Sequence, residues 1–411
     1  MKKALLLLVS FFISSSFLFS QNVAIKSLRV YAENNQVSFP VIIQNGIGPK
    51  RITIEFDAES NFVPNLIIIF RFCDRNWIPY NNIFLLNPGK YIDYNMSYSR
   101  LPQTVKEADY HFIGEYPDDK GYVDFPFSGK WMFYITDSQD TSMVYGYGRF
   151  YVVNQEVDIK DTLKREKLEN KVYFPSDLAR IFNITTDFTL PGQFTPAYLD
   201  HVEIVANHVI DYPVIVGRNG NTNTRQYYWN GNNKFSFIAR DILPGNEYRE
   251  VDLRNTDKFI DKNVDAHLDG LEYSRFYTEG RPDLNGGSVL TDYNNEYATY
   301  LNVTFSIRPP NSISGGIYLT GAFNDWVVSP QYKMQDNYGV YSITVPLKRG
   351  IYDYQYVIGQ DDGGQVTNQD WETLEGNNWE TSNVYHIFVY YNDPQYGGYD
   401  KIIGYQRIVS N

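Results

Sequence analysis

Two neighbouring stretches decide how this chain folds: Arg51-Ile52-Thr53-Ile54-Glu55-Phe56-Asp57 and Leu66-Ile67-Ile68-Ile69-Phe70-Arg71-Phe72-Cys73. In the first, polar and apolar residues alternate, as they do on a strand with one wet face and one face in a core. The second is apolar almost throughout, which suits a central strand. Working outward, strand signals recur at Ile25–Tyr31, Val37–Ile43, Tyr110–Tyr116, Lys130–Thr136 and Tyr145–Val153, separated by turn residues. Short strands at such spacing are the pattern of a β-sandwich.

The same pattern continues. A middle segment reads as strands near Ala179–Thr186, His201–Ala206, Tyr212–Val216, Arg225–Trp229 and Lys234–Ile238, with Asn219–Asn223 as a turn. A last segment reads as Tyr300–Ile307, Gly316–Gly321, Val340–Pro346, Tyr352–Val357 and Val384–Tyr391. One helix-compatible stretch stands out, 161–169, whose mixed charge and lack of a broad apolar face predict a linker or short surface helix. The expected fold class is all-β: tandem immunoglobulin-like or early-set sandwiches with little helix, divided as 21–155, 156–285 and 286–411.

Lys2 and Lys3 precede an apolar run that is broken by Ser14–Ser16. That layout predicts a secretory signal peptide over residues 1–20, with Gln21 as the mature start and a cut after Ser16 as the alternative. An uncleaved anchor is the other reading, and the interruption disfavours it because about 20 apolar residues are needed to cross a bilayer.

Composition narrows function. The 411 residues include 36 Tyr and 26 Phe, residues that favour pleated, half-buried surfaces. The formal charge is −12, without a compensating basic stripe, so nucleic acid and an acidic membrane surface are not expected partners. No later stretch is long enough to span a bilayer, so direct membrane insertion is not expected. Cys73 is the single cysteine and lies in an apolar run, so it reads as a buried strand thiol rather than a nucleophile.

The five histidines show neither metal-ligand nor HExxH spacing, and the chain has no nucleophile elbow, P-loop or dinucleotide fingerprint. No cofactor, metal or catalytic set is expected. A pair of glycosidase carboxylates distant in the chain would leave no sequence signature, so a hydrolase with residues in the middle segment stays as a third hypothesis. Aromatic residues form the more telling group. Trp326, Trp371 and Trp379 fall on or near loops, where a Trp ring can close a core, anchor a protein contact or stack on a sugar.

Two resemblances bear on this. The segment Ile317-Tyr318-Leu319-Thr320-Gly321-Ala322-Phe323-Asn324-Asp325-Trp326, followed by Leu347–Tyr356, resembles glycogen- and starch-binding modules of the early-set immunoglobulin type. The resemblance implies that Trp326 and Trp371 occupy the positions that stack on sugar, while Gln355 stands where those modules carry a binding Lys.

Across most of the chain, Phe72-Cys73-Asp74-Arg75-Asn76-Trp77, Ser128-Gly129-Lys130-Trp131, Gly148–Val153, Gly245-Asn246-Glu247-Tyr248-Arg249, Asn378–Tyr385 and Tyr399-Asp400-Lys401-Ile402-Ile403-Gly404-Tyr405 occur in one order. Together they resemble the plug protein family of the type IX secretion system. That resemblance implies a periplasmic protein that seals the periplasmic mouth of a very large outer-membrane β-barrel translocon while no substrate is in transit. With no catalytic motif in the sequence it is expected to be non-catalytic, and a stoichiometric stopper is more naturally a monomer within that complex. A carbohydrate-binding envelope protein, using Trp326 and Trp371, is the alternative.

Overall fold

The computed structural model describes residues 23–168, 179–267, 270–310 and 313–410. The expected signal peptide, 1–20, lies outside them. The regular structure of the described residues is almost all strand, with helix only as single 3₁₀ turns. The all-β expectation holds.

Six sheets pair into three sandwiches. In the first, one sheet orders Ala24–Ala32, Ile52–Glu59, Tyr110–Tyr116 and Ser97–Arg100. Its partner orders Val41–Asn45, Val144–Asn154, Gly129–Asp137, Leu66–Cys73 and Ile92–Asp93. Alternation places Ile52, Ile54 and Phe56 inward, where they meet Ile68, Phe70, Trp131 and Phe133 in one core.

The second sandwich faces Ile159–Lys167, Arg180–Thr189, Lys234–Ile242 and Arg225–Trp229 against Val214–Gly217, Leu199–Ala206, Val384–Asp393 and Tyr399–Val409. Phe182, Ile184, Val202, Phe237 and Ile387 fill it. The third is built round the long strand Gly350–Asp362, which pairs with Arg249–Asp252, Ser288–Leu290, Gly316–Gly321 and Gln365–Asp370. Its other sheet centres on Tyr300–Arg308 and Val340–Lys348, and Val303, Phe305, Leu319 and Tyr354 lie between the two.

Two sequence expectations are corrected. The stretch expected as a linker or surface helix is, over Ile159–Lys167, an edge strand in unbroken register with Arg180–Thr189. Ile159 and Leu163 pack on the second core with Asp161 half-buried between them, its carboxyl raised to about 6 by burial. Lys160, Lys164, Arg165, Glu166 and Lys167 are exposed, where they discourage pairing with another chain. The second correction concerns position 285, which the sheets cross. Arg249–Asp252 belongs to the third sandwich, whereas Val384–Asp393 and an unforeseen last strand, Tyr399–Val409, complete the second. The third sandwich is therefore inserted between strands of the second.

Sandwich joints and a candidate docking surface

The outer faces of two sheets, one from each of the first two sandwiches, meet in a buried layer of Phe39, Val41, Ile43, Tyr151, Val205, Phe388, Tyr390 and Ile402. Within that apolar layer lies an ion pair. Lys130 Nζ is 2.8 Å from Glu203 Oε2, and the two side chains are 2% and 1% exposed. Burying charge is tolerated only when the remaining donors and acceptors are met. Here Lys130 also donates to the Arg75 carbonyl at 2.8 Å and sits 4.8 Å from the Trp77 ring centre, while the Tyr151 hydroxyl donates to Glu203 Oε1 at 3.2 Å.

The loop that delivers Arg75 and Trp77 is shaped by Asp74. Its carboxylate accepts the backbone N–H groups of Asn76 and Ile78 at 2.8 and 2.9 Å, an Asx turn that leaves Trp77 at a φ of 64°. Arg75 then reaches across the joint to Asp400 at 2.7 Å and to Asp200. The Ser128 hydroxyl donates its one proton to the Ile402 carbonyl and lies 3.1 Å from the Val152 carbonyl, stitching the last strand of the second sandwich to the first. Tyr399, next to Asp400, inserts its ring into the first core.

A second joint ties the second sandwich to the third through Gly245–Arg249. Asn207, just after Leu199–Ala206, donates to the Tyr248 hydroxyl at 3.1 Å, and Glu247 accepts the Ser382 N–H at 2.9 Å. Just inside the third sandwich, Arg249, 4% exposed, donates to Glu375 at 2.9 Å and to Glu272 at 2.6 Å. Burial raises the Glu272 carboxyl, but His267, the Arg249 charge and the Tyr356 hydroxyl outweigh it and hold the group at about 2. Nearby, burial pushes Asp283 and Asp353 above the usual carboxylate range, each reinforced by neighbouring carboxylate charge. The first and third sandwiches meet at Asp57, which accepts from Lys348, Tyr300 and His111, each at 2.8 Å. Burial opposes ionisation of Asp57, yet these donors keep it below its ordinary value.

The tryptophans singled out for sugar or partner contact are used internally. Trp326 is 1% exposed, donates to the Gly286 carbonyl at 2.8 Å and packs 4.2 Å from the Tyr248 ring. Trp371 is half-buried against Tyr212, with its indole N–H on Gln369. Gln355 donates to the Trp371 carbonyl at 2.6 Å. Trp379 donates to the Ile181 carbonyl at 3.2 Å. The structure does not bring Trp326 and Trp371 onto one open face.

His111 and His386 are both internally partnered, the latter stacked 3.8 Å from Phe39 and bonded to Tyr405. Among the described residues no group of three or more His, Cys, Asp or Glu is arranged to hold a metal ion, and no helix is long and apolar enough to cross a membrane.

What the sequence survey missed is an exposed apolar cluster beside the first joint. Ile83 and Phe84 are 65% and 67% exposed, and Tyr396 is 47% exposed. The available signal was the absence of charge from Asn76 to Gly89 in so acidic a chain.

Neither a protein-family model nor a curated protein matches the sequence. A solved structure does. A hypothetical protein from Parabacteroides merdae is similar with a TM-score of 0.73, at 21% identity, over 94% of this chain and 97% of that one. The likeness shows the fold. It extends over nearly the whole of both chains, so the three-sandwich arrangement is common to the two proteins.

The residues that carried the broader resemblance have a shared task in this architecture. Asp74, Arg75, Trp77, Ser128, Lys130 and Asp400 converge on the first joint, and Glu247 and Tyr248 on the second. Chemically, these groups hold bodies together, and none presents a nucleophile or a base to an open cleft.

Proposed function

We propose that this chain is a non-catalytic plug, exported to the periplasm, that binds the periplasmic end of the type IX secretion translocon and seals it when idle. The observation that carries this reading is where the family-like motifs lie: they weld three sandwiches into one body. A stopper must keep its shape across an opening wider than one small domain. Buried ion pairs such as Lys130–Glu203 fix relative orientation even where apolar contacts would bind as tightly. A plug must also come off, so a modest, polar-rimmed contact suits it better than an obligate apolar interface.

The carbohydrate reading loses its support, since Trp326 is closed in and Gln355 is bonded inside the fold. Affinity capture from mildly solubilised outer membranes is the test. Recovery of a very large β-barrel protein with the chain is the expected result, and its absence under several mild detergents would overturn the proposal.

A further inference from the structure

The cluster beside the first joint is built as an anchor. Ile83, Phe84 and Leu85 form one 3₁₀ turn, of which Leu85 is 1% exposed in the first core while its two neighbours project outward. Asn82 fixes this turn twice over. Its Oδ1 accepts the Phe84 N–H at 3.0 Å, and its Nδ2 donates to the Tyr396 carbonyl at 2.6 Å. Tyr396 comes from the second sandwich, and its ring stacks on Phe84 with centres 6.1 Å apart and planes at 19°. Both sandwiches therefore contribute to one surface whose geometry the joint sets.

Tyr396 has a φ of 52°, a conformation that favours glycine, although Gly397 and Gly398 follow directly. A bulky residue in the left-handed region is strained, and glycine there would relieve it. An exposed aromatic pair that is already ordered loses little entropy on binding. Neither Asn76–Gly89 nor Pro394–Tyr399 contains a charged side chain. Charged side chains only flank these stretches, at Arg75, Lys90, Asp393 and Asp400. An acidic or basic partner would therefore find little counter-charge at the cluster itself, and anionic lipid headgroups only the single Lys90 at its edge. The complementary surface is an uncharged protein one.

We infer that Ile83, Phe84 and Tyr396 form the docking edge on which the chain seats against an uncharged protein surface. That this surface is the rim of the translocon barrel rests on the plug reading above.

The test places a photo-crosslinking phenylalanine analogue at 84 and at 396 in the full chain, expressed in its native envelope. Tyr338 and Tyr228, 106% and 55% exposed, serve as distant control positions. Barrel adducts at 84 and 396, and at neither control, are expected. Barrel adducts from the controls alone would overturn the docking edge while leaving the plug reading standing. Adducts at 84 and 396 with a different protein would keep the docking edge and sink the plug reading. Lipid adducts, or none, at 84 and 396 would overturn the docking edge. As a second measurement, Ile83→Ser with Phe84→Ser should lower barrel capture at least ~10-fold, as loss of an aromatic anchor does. Tyr396→Gly should also lower capture, with the urea midpoint measured alongside it, because glycine relieves the backbone but removes the ring's contacts with Phe127 and Tyr399. Unchanged capture in both variants would overturn the inference.

Discussion

Lys130 and Glu203 come from different sandwiches, yet their charged atoms lie 2.8 Å apart where water does not reach. Removing one member strands the other charge in an apolar layer. Lys130→Met or Glu203→Leu alone should cost about 3–5 kcal/mol in urea unfolding, whereas the double variant should recover most of that loss. Additive losses would mean that the two side chains act independently.

Cys73 reports on the same joint. Its thiol is fully enclosed, and burial pushes it up to about 12, so the native protein holds little thiolate. Labelling by a thiol reagent at neutral pH should be negligible in the native protein and should accelerate on unfolding. It should also be faster in Lys130→Met than in the parent, since the strand bearing Cys73 pairs directly with the one bearing Lys130. Rapid labelling of the native parent would contradict the enclosure.

Trp326 separates a structural ring from a sugar-binding one. As a buried side chain with a satisfied N–H, it should cost about 3–5 kcal/mol when changed to Ala. Affinity electrophoresis on glycogen should show no retardation of the parent chain. Retardation that disappears in Trp371→Ala would restore the carbohydrate reading.

How much of this was legible beforehand depends on what each segment touches. Leu66–Cys73 was readable because six of its eight residues are buried and the run is apolar but for Arg71. Ile159–Lys167 was not, because its inward Ile159 and Leu163 are separated by charges that also suit a helix, and tertiary contact overrode local propensity. Val384–Asp393 was visible as a strand, but its partner, Leu199–Ala206, is far away in sequence, and nothing local encodes that pairing. Trp326 looked available because the segments that close it, at Tyr248 and Gly286, are remote from it. Phe84 could have been flagged from its uncharged surroundings; its pairing with Tyr396 could not.

The pH dependence of stability should show two opposed arms. Glu272 is held at about 2, against an ordinary value of roughly 4.3, so its contribution is complete above the ordinary value and fades as pH falls towards 2. The shift corresponds to roughly 3 kcal/mol at most. Asp57 acts in the same direction. Asp353 has the reverse sign: its folded value is raised, so the native state binds more protons than the unfolded one, and stability falls as pH rises out of the ordinary carboxylate range. Glu372, which burial raises to about 7, adds to that arm up to neutrality. Urea midpoints measured from pH 3 to 8 should therefore peak on the acidic side of neutral. Glu272→Gln should be weaker than the parent at the peak and converge with it as pH falls. Asp353→Asn should flatten the neutral arm and leave the acidic arm in place. A neutral arm unchanged in Asp353→Asn would assign the loss to other groups.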